Sequence, residues 1–273
     1  AGLSSAFAQA KRVPTRAVAG GPARRRRNAV CTHREVAVSA PVLVLTAHGS
    51  ADPRSAATTH AVAETIRRLR PGLDVLPAFC EQSTPNLVDV LREIGDRAVV
   101  TPLLLADAYH ARSDIPAMID ASGVRALQAE VLGEDDQLIA VLRRRIAEAG
   151  VAAQDSDVGV IVTAVGSSRA QANARTSTVA SAVAVDTRWI GVTSAFATGP
   201  KPSLPSAVHR LRRLGADRVV IAPWFLAHGK ITDRVADFAV SQGIPMAAPL
   251  GAHRLVAETV LDRFDAALAL SAA

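Results

Sequence analysis

The chain has 273 residues, 49% of them hydrophobic, 21% charged and 3% aromatic. That length suits one large domain or two smaller ones, and either can bury a core. A hydrophobic share this high excludes a disordered chain, and no apolar run reaches the roughly 18 residues of a membrane span. Two cysteines, Cys31 and Cys80, are too few for a disulfide framework, a four-cysteine zinc site or an iron–sulfur cluster.

Charge is concentrated at one end. Residues 1–40 hold eight basic side chains, among them the run Arg24–Arg27, against Glu35 alone. Of the chain's net +6, this segment accounts for +7, leaving the remainder at −1. A nearly neutral body argues against nucleic-acid binding as the main activity. Residues 1–40 read as a flexible, disordered tail. They fit a plain extension of a cytoplasmic protein, or alternatively an organellar transit peptide.

From residue 42, short apolar runs alternate with amphipathic stretches. Val42–Ala47 reads as a strand buried on both faces, followed by a helix over Ala56–Leu69 with Val62, Ile66 and Leu69 on one face. A second strand, Leu73–Phe79, precedes a helix over Asn86–Ile94, and a third spans Ala98–Leu105. Asp114 before Ile115-Pro116 reads as a helix N-cap. A fourth strand, Leu127–Val131, leads to a helix over Asp136–Ala149. Further strands are expected at Val158–Ala164, Trp189–Phe196, Val219–Leu226 and Met246–Ala248, and His253 starts the last helix, where it caps or packs.

These segments are two copies of one plan. The end of Val42–Ser50 recurs 117 residues later at Val165-Gly166-Ser167, and Ala78-Phe79 with Pro85 recurs as Ala195-Phe196 with Pro202. Pro102-Leu-Leu-Leu-Ala106 returns as Pro223-Trp-Phe-Leu-Ala227, and Leu132-Gly133 as Leu250-Gly251. The expected architecture is α/β: two duplicated domains, 41–152 and 153–273, each a parallel sheet flanked by helices.

Ligands of parallel sheets bind beyond the carboxyl ends of the strands. In the first half those ends carry His48, Glu81 and His110, a two-histidine, one-carboxylate set suited to a divalent transition metal with open positions. The second half has Val165 and Thr198 in place of His48 and Glu81, and Ile231 in place of His110. Retained fold with lost ligands argues for a site, although a histidine at a strand end also serves structural hydrogen bonds.

Three segments carry a family resemblance: Thr46-Ala-His48-Gly49-Ser50 with Asp52-Pro53-Arg54; Phe79-Cys80-Glu81 before Pro85; and Tyr109-His110-Ala111-Arg112-Ser113-Asp114-Ile115-Pro116. They resemble the sirohydrochlorin chelatase family, in its two-domain actinobacterial form, over about residues 42–265. The resemblance implies a class II chelatase fold with the tetrapyrrole in the cleft between two similar domains. It implies that His48 and His110 bind the metal and help deprotonate the macrocycle, with Glu81 as third ligand. Departures are Ala51, where a basic residue is common, and Asp107-Ala108-Tyr109, where glycines are usual.

Metal insertion into a porphyrinoid requires two pyrrole nitrogens to lose protons while the metal sheds its waters. Imidazoles and a carboxylate can hold a borderline metal loosely and accept those protons. Sirohydrochlorin is a polycarboxylate, so Arg54 and Arg112 are candidate substrate contacts, along with Tyr109 and Ser50. The expected activity is insertion of ferrous iron to form siroheme. Cobalt insertion toward cobalamin, and a non-catalytic carrier of metal or tetrapyrrole, are the alternatives.

Overall fold

The computed structural model describes residues 40–106 and 110–272, the side chains of His110 and Ala111 excepted. The basic segment and Tyr109 lie outside the described residues. Strand β1 (Val42–Ala47) is buried along its whole length and has a parallel neighbour on each side. Those neighbours are β2 (Val75–Phe79) and β3 (Ala98–Pro102), and β4 (Leu127–Gln128) completes the order β2-β1-β3-β4. The second sheet repeats the centre of the first: β5 (Val158–Ala164) lies between β6 (Gly191–Phe196) and β7 (Arg218–Pro223), all parallel. The expected class, two α/β domains with parallel sheets flanked by helices, is the fold observed.

Local chemistry sets the helix starts. Helix α1 (Pro53–Leu69) begins with Asp52 accepting the N–H of Arg54 and with proline in its first turn. It buries Val62, Ala63 and Ile66 against the first sheet. Helix α2 (Leu87–Ile94) is capped by Asn86. A π-helical turn at His110–Asp114 runs straight into α3 (Ile115–Ser122). Asp114 is therefore not the cap expected of it: its backbone is already helical and its side chain makes no capping bond.

Helix α4 (Asp136–Glu148) is capped by Asp135. The second half adds α5 (Ala170–Ala184), α6 (Leu204–Arg213), α7 (Lys230–Ser241) and α8 (Arg254–Ser271). His253 caps α8, its Nδ1 accepting the Leu255 N–H at 3.1 Å. Burial holds that imidazole below its ordinary pKa, helped by Arg144 and Arg145, and so keeps it in the neutral form a capping acceptor needs.

The fourth strands are shorter than expected. Leu127–Val131 pairs only at Leu127–Gln128, and Met246–Ala248 only through an isolated bridge from Ile221 to Met246. Beyond those points single backbone bonds still tie the chain to the sheet edge, from Leu132 to the Leu104 carbonyl at 3.0 Å and from Leu250 to the Phe225 carbonyl at 2.9 Å, before each segment reaches a helix packed on the other half. Helix α4 lies against α5 and β7, whereas α8 lies against α1, β3 and β4. Each half thus gives its last helix to the other, and one apolar core runs through both, from Leu43 and Leu45 to Val160 and Phe264.

Two arginines seal the exchange symmetrically. Arg145 of α4 donates to the carbonyls of Pro249 and Leu250, each at 3.1 Å. Arg263 of α8 donates to those of Val131 and Leu132 at 3.0 and 2.9 Å and pairs with Asp135 at 2.8 Å. Replacing Arg263 by alanine removes the charged donor from two buried-segment carbonyls. Stability to urea should fall by about 1–3 kcal/mol, and an unchanged unfolding midpoint would show that these carbonyls do not need the clasp.

Candidate functional site

The carboxyl end of β1 turns sharply at Gly49, whose φ is +93°, a region costly for any residue with a Cβ. The turn lies directly on the end of β2. A Cβ at position 49 would stand 1.7 Å from the carbonyl oxygen of Glu81. Hydrogen bonds fix the same register: Cys80 donates to the Ala47 carbonyl at 3.1 Å and Glu81 to the His48 carbonyl at 3.0 Å. Gln82 then takes a left-handed conformation, φ 56°, and its side chain donates to Glu81 Oε1 at 2.8 Å.

This packing brings two of the three expected ligands together. His48 Nε2 lies 3.1 Å from Glu81 Oε1, with both side chains partly open to solvent. The backbone of His110 begins the π-helical turn, while its side chain lies outside the described residues. The far end of that turn stands near the end of β2, since Ile115 and Cys80 pack in the same apolar cluster. Among the described residues no group of three His, Cys, Asp or Glu side chains forms a metal cage. Burial, with Asp114 and Glu81, pushes the Cys80 thiol up to about 11, so without a metal it is protonated at neutral pH.

His48 opens onto a cleft between the halves. A cavity of about 570 Å³ is walled by Leu104, Val165, Phe196, Trp224 and Ile231, with His48 at its edge. It adjoins a second cavity of about 470 Å³ that reaches Ser50, His228 and Lys230. The volumes suit a large ligand. The apolar wall comes mostly from the second half, where Val165 occupies the position of His48. Its Gly166 turn, φ +97°, repeats the Gly49 turn, and Thr198 repeats the backbone bond of Glu81 by donating to the Val165 carbonyl at 3.0 Å.

The predicted substrate contacts fare differently. The Arg54 guanidinium is paired with two carboxylates. It donates to Asp52 through Nε at 3.0 Å and to Asp233 of α7 through Nη1 at 3.1 Å, linking the two halves. The Ser50 hydroxyl borders the second cavity but accepts the Asp52 N–H at 3.0 Å, a turn-forming role. Arg112 faces a small cavity with Arg169 and Arg175. Sequence reasoning missed Gln82, whose signal lies only in its conformation. It also missed Arg169 and Arg175, which become neighbours of Arg112 only once the halves are packed.

Two outcomes follow. Gly49→Ala should displace the Glu81 carbonyl and abolish cobaltous-ion binding in a visible-absorption titration. Gly72→Ala, also at positive φ but with nothing within 4 Å of the added Cβ, should leave binding intact and cost about 1 kcal/mol of stability. Hydrogen bonds from Arg54 hold the Asp52 carboxyl at about 2 instead of 3.8. A depressed carboxylate stabilises the fold fully above its unfolded pKa and loses that contribution as pH falls through the folded value. The difference in thermal midpoint between wild type and Arg54→Ala should therefore be flat from pH 5 to about pH 9 and shrink between about pH 4 and 2. A difference that vanishes already near pH 6 would assign the link to another group.

Similarity to known proteins agrees with this arrangement. The CbiX family model matches residues 42–149 and 159–267, one match for each half. A sirohydrochlorin cobaltochelatase of Priestia megaterium is 28% identical over 205 residues, covering 70% of this chain and 65% of that protein's length. A sirohydrochlorin ferrochelatase of the same organism is 26% identical over 196 residues, covering 62% of this chain and 73% of the relative. Among solved structures, SirB from Bacillus subtilis with Fe3+ superposes with a TM-score of 0.71 at 20% identity, over 85% of this chain and 97% of SirB. A cobalt complex of SirB from Bacillus subtilis subspecies spizizenii gives 0.65 at 17% identity, over 83% and 94%. At those identities the structures speak for the fold, and the two-part family match decides the kinship: the chain belongs to the CbiX family.

Proposed function

We propose that this protein is a metal chelatase that inserts ferrous iron into sirohydrochlorin, giving siroheme. The observation that carries this reading is the pairing of His48 and Glu81 at the edge of a large apolar-walled cleft. The chelatases named among its relatives act on the same tetrapyrrole. In this reading residues 41–152 supply the metal ligands and residues 153–273 the wall against which the ring lies.

The division of labour follows from the chemistry. A metal held by imidazole and carboxylate keeps open positions for pyrrole nitrogens, and such ligands release it more readily than thiolates would. In this reading His110, at the start of the π-helical turn, is the third ligand. As the metal leaves His48 for the ring, the freed imidazole and the Glu81 carboxylate take up the two pyrrole protons. Val165 and Phe196 present apolar side chains on the opposite wall, against which the ring can lie. Remote contacts offset the cost of bending the ring to expose its lone pairs.

Cobalt insertion is the second reading, because a relative bears that name and this ligand set accepts either ion. Anaerobic assays with sirohydrochlorin and each ion, followed by absorbance, separate the two. The expected result is faster turnover with ferrous ion, and a preference for cobaltous ion would choose cobalamin chemistry. His48→Ala should lower kcat at least about 100-fold while leaving the thermal midpoint within about 2 °C, since that side chain is partly exposed at the strand end. Stoichiometric binding of metal and ring without turnover in the wild type would instead make the protein a carrier.

A further inference from the structure

Beside the main cleft, and meeting it at Ala106 and Ala172, is a cavity of about 160 Å³. Its charged lining is Arg112, Arg169, Arg175 and Glu134, three cations and one anion. It is too small for a macrocycle and wide enough for one acidic side arm. Glu134 steadies one wall, pairing with Arg175 at 3.2 Å. Arg169 has no ion-pair partner among the described residues.

Arg169 is also in an unusual place. It stands 117 residues after Asp52, and both are N-caps, Asp52 of α1 and Arg169 of α5. Asp52 accepts a capping bond and carries the charge that the positive end of a helix favours. Arg169 makes no side-chain capping bond and puts a cation at that same positive end. The turn before it is held by other means: Asn173 bonds both the N–H and the carbonyl of Ser167, at 2.8 and 2.7 Å. The second copy has thus exchanged a stabilising acid for a locally unfavourable base, on the edge of the cleft. A bound anion would relieve that arrangement, and two or three guanidiniums match a carboxylate in fork geometry.

We infer that Arg169 and Arg175, from the half without metal ligands, join Arg112 to bind a peripheral carboxylate of the tetrapyrrole and so set the ring's orientation over His48. This deepens the function proposed above and rests on it for the identity of the ligand. The test is equilibrium titration of metal-free sirohydrochlorin, and of its fully esterified form, by fluorescence, with turnover measured in parallel. Arg169→Ala should weaken binding of the free acid about tenfold and Arg169→Glu more, while Arg169→Lys recovers part of the loss. The esterified ring should bind wild type and Arg169→Ala equally, and cobaltous-ion affinity should be unchanged in every variant. Arg213→Ala, at the far end of α6, controls for net charge.

In turnover, KM should rise with a smaller change in kcat. Equal binding of the free acid by wild type, Arg169→Ala and Arg169→Glu would overturn the inference, as would a wild type that does not prefer the free acid to its ester. If the wild type binds the ring through Arg169 but does not turn over, the chelatase reading fails and this one stands. If it does not bind the ring at all, both fail.

Discussion

The exchange of last helices is the constraint on which the rest of the structure depends. Neither sheet is covered without a helix from the other half: α8 lies on β3 and β4, and α4 lies on β7. The apolar core that results is shared, so the angle between the halves is set by packing density and not by a linker. Arg145 and Arg263 close the two crossing points with matching bonds to backbone carbonyls. A cleft built between such halves has walls of fixed spacing. For chemistry that must hold an ion and a ring at a defined separation, that rigidity is a form of preorganisation.

Duplication followed by divergence explains why the cleft is two-faced. The backbone bonds around Gly49 and Gly166 are the same, as are those from Leu103 to Thr46 and from Trp224 to Thr163. What differs is carried by side chains at the strand ends. Where one copy has His48 and Glu81 the other has Val165 and Thr198, and the Thr198 hydroxyl donates to the Val165 carbonyl at 2.8 Å. One copy therefore carries ionisable side chains at its strand ends, and the other carries an apolar side chain and a hydroxyl. The same replacement runs through the helix starts, where Asp52 stands in one copy and Arg169 in the other.

Much of this arrangement was legible in the residues themselves. Buried parallel strands announce themselves as unbroken Val and Leu runs, and β1 and β5 begin and end where such runs do. The repeat located the duplicated sheets, and strand-end logic brought His48 and Glu81 into one place across 33 residues. Other features depend on tertiary packing, which no periodicity encodes. The amphipathic stripe of α4 says that it covers a sheet, but not whose. Arg54 and Arg112 look alike in sequence, each in a loop beside a strand-end histidine, His48 and His110. Only the approach of Asp233 from α7 turns Arg54 into a structural link. Asp114 has the residue type of a cap, yet the chain before it is already helical.

Gly166 keeps the backbone constraint of the Gly49 turn with no histidine before it. A Cβ there would come within 2.7 Å of the Thr198 carbonyl, although no ligand stands on either side of the turn. The glycine is a requirement of two strand ends that touch, whatever those ends carry. In a distant relative, a Gly-Ser pair after a buried strand therefore diagnoses architecture, and the residue immediately before it, His48 in one copy and Val165 in the other, is where the two halves of this chain differ. The same ligand set in the second copy would need new side chains at positions 165, 198 and 231, on a turn whose backbone bonds already match those of the first copy.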